Sequence, residues 1–182
     1  MSTTQKSNPA PLGLLGFGLT TILLNLANAG IIELSIVIIA MGIALGGLAQ
    51  IIAGVLEFKQ GNTFGGTAFV AYGFFWLSFV LIKTGLPNIP AADTTSLGFY
   101  LLLWAVFTGF MFIGTLTHNT ISKLVFGSLT LLFLLLAIGD FTEIHMITVI
   151  AGFVGIVCGL FAVYSSVGQI VNQELNKNVM PL

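Results

Sequence analysis

Between residues 11 and 167 the chain sets six long apolar runs between short polar breaks, at about 11–31, 35–56, 64–83, 97–116, 122–139 and 145–167. A helix needs about 20 apolar residues to cross a bilayer, and each run approaches that length. The runs lack strict alternation and are longer than the roughly 10-residue segments of barrel strands, so they predict helices. Only 6% of the residues are charged, 57% are hydrophobic, and the mean hydropathy is +1.08. Ordinary soluble domains carry about 25% charged residues, so lipid must solvate most of this surface. The expected fold class is an all-α integral membrane protein with six transmembrane helices, multi-pass in the cell membrane. Residues 11–167 form the transmembrane domain, between tails at 1–10 and 168–182.

Orientation follows from the lysines, since the chain has no arginine. With six spans, Lys6, Lys59, Lys123 and Lys177 fall on one side, while Lys83 shares the other with Glu33, Asp93, Asp140 and Glu143. The positive-inside rule places both termini in the cytoplasm. The polar start "MSTTQKSN" carries no secretory signal pattern.

Several function classes are excluded. A net charge of −1 leaves no basic footprint for nucleic acid. The single cysteine, Cys158, supports neither a disulfide framework nor a cysteine zinc cage and reads as a core residue. No phosphate-binding glycine loop and no histidine pair with metal spacing occurs, so neither cofactor nor metal is expected. His118 and His145 lie at breaks and read as interfacial. "YSSVG", 164–168, lacks a partner base; Ser165 and Ser166 are expected to bond backbone carbonyls, and the chain is not expected to be an enzyme.

What remains is uncharged polar material inside apolar spans: Thr20, Thr21, Asn25, Asn28, Gln50, Tyr72, Ser128 and Thr130. Such side chains are costly in lipid and either join helices or line a pathway. Asn25 and Asn28 share one helix face. Together they fit a route for a small polar solute, or helix-to-helix bonding. Small residues recur at helical spacing at Gly13 and Gly16, Gly42 and Gly46, and Ala151, Gly155 and Gly159. They let backbones approach within a subunit or between subunits. Glu57, beside Lys59 at a span end, reads as a cytoplasmic ion pair, with proton relay as the sharper alternative.

The first span opens on "NPAPLGLLGFG", residues 8–18. Proline disfavours helical geometry in the residue before it, so Asn8 and Ala10 are expected to be extended, with Pro9 and Pro11 setting the shape. Free N–H groups near Leu12, Gly13 and Leu14, with the Asn8 amide, would make an anion-attracting mouth; the alternative is a rigid helix start that only sets the span's depth.

This stretch resembles the signature of the acetate uptake transporter family, also called the succinate–acetate permease family. "TTILLNL", "GGLAQIIAGVLEFKQGNTFGGTAF", "AYGFFWL" and "SLTLLFLLLAIG" extend the likeness over nearly the whole chain. The resemblance implies six helices per protomer, assembly as a homo-hexamer, and a separate pathway through each protomer. It also implies an apolar constriction built from Phe17 in "LLGFG", Tyr72 in "AYGFF" and Leu129 in "GSLTLLF". Such a throat resists hydrated ions, because removing their water is expensive. A small monocarboxylate offers a methyl group to Phe17 and Leu129, and Tyr72 can offer its hydroxyl. Carboxyl groups titrate near 4, so at pH 7 about one molecule in a thousand is neutral; channel and proton symport both stay open.

The expected function is permeation of acetate, with succinate or other small carboxylates as further substrates. The alternatives are a channel for a neutral solute such as ammonia or water, and a non-transporting sensor.

Overall fold

The computed structural model describes residues 7–182, so Lys6 lies outside the described residues. Six membrane-length helices are found among them. α1 spans Ala10–Asn28, α2 Ile36–Lys59, α3 Thr63–Thr84, α4 Thr94–Gly114, α5 Thr120–Thr142 and α6 His145–Leu175. A single 3-10 turn, Thr115–Thr117, links α4 to α5.

Three starts share one device. Asn62, Asp93 and Asn119 each cap a helix by accepting from the backbone N–H three residues on, at 3.0, 2.8 and 2.8 Å. A cap of this kind satisfies one of the donors that a helix start leaves free. The Ser96 hydroxyl and N–H hold the Asp93 carboxyl below the usual carboxylate range.

The start of α1 departs from expectation. Ala10 is helical rather than extended, and Pro9 has near-helical torsions (φ −80°, ψ −17°). Proline within the first turn forfeits only an N–H that has no helical partner there, which offsets the preference of the residue before it. Two ends also differ. α1 stops at Asn28, because Gly30 turns left-handed at φ +74°. α6 continues past 167 to Leu175, and its Asn172 then gathers the returning tail. There Nδ2 donates to the Met180 carbonyl at 2.7 Å, and Oδ1 accepts from the N–H groups of Val179 and Met180 at 2.8 Å.

α1 sits against α6 and α2; α5 lies between α6 and α4, and α2 packs on α3. The small residues explain the closeness. A Cβ on Gly18 would stand 2.8 Å from the Gly159 carbonyl oxygen, and one on Gly159 would stand 2.7 Å from that of Gly18. A Cβ on Gly155 would collide with the Asn25 amide, and one on Gly16 would stand 2.5 Å from the Leu45 carbonyl. Gly13 faces the Phe69 ring, and Gly42 and Gly46 face Val80 and Trp76. These glycines serve contacts within the protomer.

The middle of α2, Gly42–Ala49, is π-helical. The wider turn shifts the phase of all that follows. Beyond it, Gln50 and Glu57, two turns apart, are both buried on the side facing the bundle. α3 and α4 approach mainly through aromatic side chains rather than close backbones: Tyr72 meets Phe107 and Trp104, and Phe75 meets Tyr100.

Gly155→Ala places a methyl group on the Asn25 amide and is expected to destabilise the fold by about 1–3 kcal/mol. Thermal melting of the protein in detergent measures it; an unchanged melting temperature would contradict the α1–α6 contact.

Candidate functional site

Two cavities of ≈360 Å³ each enter the bundle from opposite ends. The first opens where α1 begins, α2 passes to α3, α4 passes to α5, and α6 nears its end. Ala10, Leu14, Glu57, Asn62, Phe64, His118, Asn119, Ser122 and Gln169 line it. The second opens at the other end and is lined by Asn28, Glu33, Phe79, Lys83, Tyr100 and Asp140, among others. Lys83 Nζ there stands 5.5 Å from the centre of the Phe79 ring, close enough for a cation–π contact.

Phe17, Tyr72 and Leu129 also line the first cavity, and Gln50 lines it with them. These come from α1, α3, α5 and α2. The Phe17 and Tyr72 ring centres are 5.9 Å apart, and Phe17, Tyr72 and Leu129 are 6%, 3% and 2% exposed. The structure therefore brings together the three residues of the expected constriction. Leu131 is 48% exposed on the outer surface. The Tyr72 hydroxyl is not offered to the lumen: it donates to Thr108 Oγ1 at 2.9 Å, and Thr108 donates on to the Trp104 carbonyl at 2.7 Å. Tyr72 thus presents its ring to this cavity, beside Phe17, Leu129 and Gln50.

The opening motif builds the rim of this cavity. Asn8 Oδ1 accepts from the Ala10 N–H at 3.1 Å, and its Nδ2 donates to Gln169 Oε1 at 2.9 Å. The N–H groups of Leu12 and Gly13 bond to the Pro9 carbonyl at 3.1 and 3.4 Å, so those two donors are taken. Pro11 offers its carbonyl to the Ser166 hydroxyl at 2.6 Å. Leu14 lines the cavity, while Pro11 and Leu12 border a separate groove on the outer surface. Asn8 and Pro11 hold the first turn of α1 against α6, while the Pro9 carbonyl closes that turn.

The polar residues of the spans divide by position. Gln50 lines the first cavity and Asn28 the second. Thr20 donates to the Gly16 carbonyl at 2.8 Å and reaches the Met41 carbonyl of α2 at 3.4 Å. Asn25 donates to the Thr21 carbonyl at 2.9 Å, and Asn28 donates to Asn25 at 3.0 Å. Thr21, though buried, has no partner for its hydroxyl. Ser128 and Thr130 bond carbonyls of their own helix at 2.5 and 2.8 Å. Cys158 is fully buried, as a core residue.

Glu57 requires correction. It is not paired with Lys59, which is exposed. Its carboxylate is buried, and Oε2 accepts from Asn62 Nδ2 at 2.6 Å while Oε1 has no partner. Gly65 leaves the room, since a Cβ there would stand 3.2 Å from the Glu57 carboxyl carbon. Gln50 resembles it: Nε2 donates to the Gly46 carbonyl at 2.7 Å, which leaves a buried Oε1 without a donor. Sequence reasoning also passed over Gln169 and Asn62 as lining residues. Asn62 carried a signal, as a capping residue five positions after the only acid in its break.

Comparison with known proteins decides the family. The GPR1/FUN34/yaaH family model matches residues 1–181. The chain belongs to that family. It is 52% identical to the succinate-acetate/proton symporter SatP of Escherichia coli (strain K12), across 100% of this chain and 98% of that protein. It is 35% identical to acetate permease A of Emericella nidulans, over 97% of this chain and 65% of that one. Its fold matches the solved structure of the bacterial acetate channel SatP with a TM-score of 0.94 and 51% identity, covering 98% of this chain and 99% of that one. A chain of this family with six such helices is a multi-pass membrane protein rather than an enzyme.

Asn62→Ala removes both the α3 cap and the Glu57 partner. It is expected to cost about 1–2 kcal/mol, read as a lower melting temperature in detergent. Asn119→Ala, which removes a cap alone, is the comparison and should cost less.

Proposed function

We propose that this protein is a permease for acetate, taking succinate or other small carboxylates as further substrates, with one pathway through each protomer. The observation that carries this reading is the pair of cavities on opposite faces, with Phe17, Tyr72 and Leu129 together in the lining of the first. A solute entering either cavity is sheltered from lipid, and only the apolar septum between them must be crossed. Hydrated ions lose their water there without compensation. A carboxylic acid with a two-carbon skeleton fits against ring faces and a leucine.

In this reading the termini face the cytoplasm and the first cavity opens there. Lys59, Lys123 and Lys177 on that side, against Lys83 on the other, support the orientation. The protomers associate as a hexamer through the apolar outer faces, where Leu103 and Phe110 are each 71% exposed. Asn8, Pro9, Pro11, Leu12, Gly13 and Leu14 act here as the scaffold and rim of the mouth, and Gln50 and Asn28 as polar stations on either side of the septum. Thr20, Thr21, Asn25, Ser128 and Thr130 act as helix-joining groups around it.

Leu129→Ala and Tyr72→Ala enlarge the throat. Each is expected to change labelled acetate uptake into proteoliposomes by about tenfold, equivalent to about 1.4 kcal/mol of barrier, and to relax the size limit for longer carboxylates. Unchanged transport in both variants would remove the constriction from the pathway. Swelling driven by water or ammonia without acetate flux would instead assign a neutral-solute channel. Asn8→Ala, which frees Gln169, is expected to lower uptake while folded protein is retained.

A further inference from the structure

The first cavity holds two buried oxygen acceptors without a donor, Glu57 Oε1 and Gln50 Oε1. The Gln50 orientation is settled chemically, because its amide nitrogen must face the Gly46 carbonyl. The two lie seven residues apart on α2, about 10 Å along the axis, with Glu57 nearer the mouth and Gln50 beside Phe17 and Tyr72. A buried acceptor left unpaired is costly. A carboxylate anion brings acceptors only, so it suits neither Gln50 Oε1 nor an ionised Glu57, and it can bond Glu57 only when Glu57 itself carries the proton. A protonated carboxylic acid brings one O–H, which suits both in turn.

Resting on the permease reading above, we propose that Glu57 is the proton-exchange group of this pathway and that Gln50 receives the hydroxyl of the neutral acid at the constriction. Glu57 in its acid form passes its proton to an incoming carboxylate; the O–H bond on Oε1 breaks, one forms on the substrate, and the negative charge moves to Glu57. The neutral acid advances, donates its O–H to Gln50 Oε1, and crosses between Phe17, Tyr72 and Leu129. Glu57 regains a proton from water at the mouth. Two carboxyl groups sharing one proton is the stable state of such a close pair, and an O–H donor to a carboxylate makes a strong bond.

The surroundings leave Glu57 as the buried acid for this exchange. The neighbouring wall is neutral at Asn62 of α3, Asn119 and Ser122 of α5, and Gln169 of α6, and α1 contributes apolar side chains. Among the described residues that line this mouth, the other titratable group is His118, exposed and stacked edge-on against Phe64 at 4.9 Å. Lys59, on the same helix as Glu57, is exposed and does not line the cavity.

The test uses the full chain in proteoliposomes, with protein-free liposomes as background, labelled acetate, a lumenal pH dye and a potential-sensitive dye. Wild-type uptake is expected to acidify the lumen and to move no net charge under an acetate gradient at fixed pH. Glu57→Gln is expected to lower uptake at about pH 7 by about tenfold or more, yet stay within about twofold of wild type at about pH 5, where far more acid arrives already protonated. Gln50→Leu is expected to lower uptake at both. An acetate current through the wild type overturns the proposal even if Glu57→Gln fails to fold. So does a Glu57→Gln variant whose pH profile matches wild type. Wild-type protein that moves no labelled acetate overturns the permease reading itself, a distinct result.

Discussion

Phe17 reaches Tyr72 because the backbone of α1 is drawn almost into contact with its neighbours. Gly16 lies against the Leu45 carbonyl of α2, and Gly18 lies against Gly159 of α6, one residue to either side of Phe17. Lipid gives helices no hydrophobic reason to associate, so close packing and interhelical bonds must do it. The glycines on both sides of the phenylalanine therefore do two things at once: they bind α1 into the bundle and they aim its one aromatic ring inward. The Ser166 bond to the Pro11 carbonyl and the Asn8 bond to Gln169 fix the depth of that ring from the helix start. Across the lumen α3 and α4 take the opposite solution. There the backbones stand apart and the space is filled by Tyr72, Phe75, Tyr100, Trp104 and Phe107. Between a tight seam on one side and an aromatic wedge on the other lies the first cavity, whose lining includes Phe17, Tyr72, Leu129 and Gln50.

The six helices were legible because lipid makes a strict demand: every crossing segment must be apolar for about 20 residues. The ends were less so. α6 keeps its helix past 167 among Gln169, Asn172 and Gln173, which no hydropathy pattern marks as helical, and α1 stops at Asn28, ahead of the left-handed Gly30, although the apolar run continues to 31. The grouping of Phe17, Tyr72 and Leu129 was not legible from spacing at all. Phe17, Tyr72 and Leu129 lie on three helices, and the rotation of one helix against another is set by side-chain packing and by the π-helical stretch of α2. Only the family likeness named them. Glu57 was misread for a related reason: a charge at the edge of an apolar run normally faces water. Here the turn after α2 brings Asn62 back over the carboxylate, and Gly65 leaves room beneath it.

The hydroxyl of Tyr72 bears on how the throat selects. A tyrosine in a narrow apolar passage invites the idea that it greets a polar solute. Its proton, however, is committed to Thr108, which is committed in turn to the Trp104 carbonyl. Turning the hydroxyl inward would break the first of these bonds and leave buried groups unpaired, a cost of about 1–3 kcal/mol. The ring is thus held by a chain of bonds running away from the lumen. In the proposed permease, Tyr72 therefore acts at that level by excluding water rather than by binding the solute. In the same reading, polar recognition falls to Glu57, Gln50 and Gln169 in the first cavity and to Asn28 and Lys83 in the second. With the Tyr72 hydroxyl tied back, Gln50 is the polar group left beside the rings, which in that reading gives a passing acid a single hydrogen-bonding hold rather than a site deep enough to trap it.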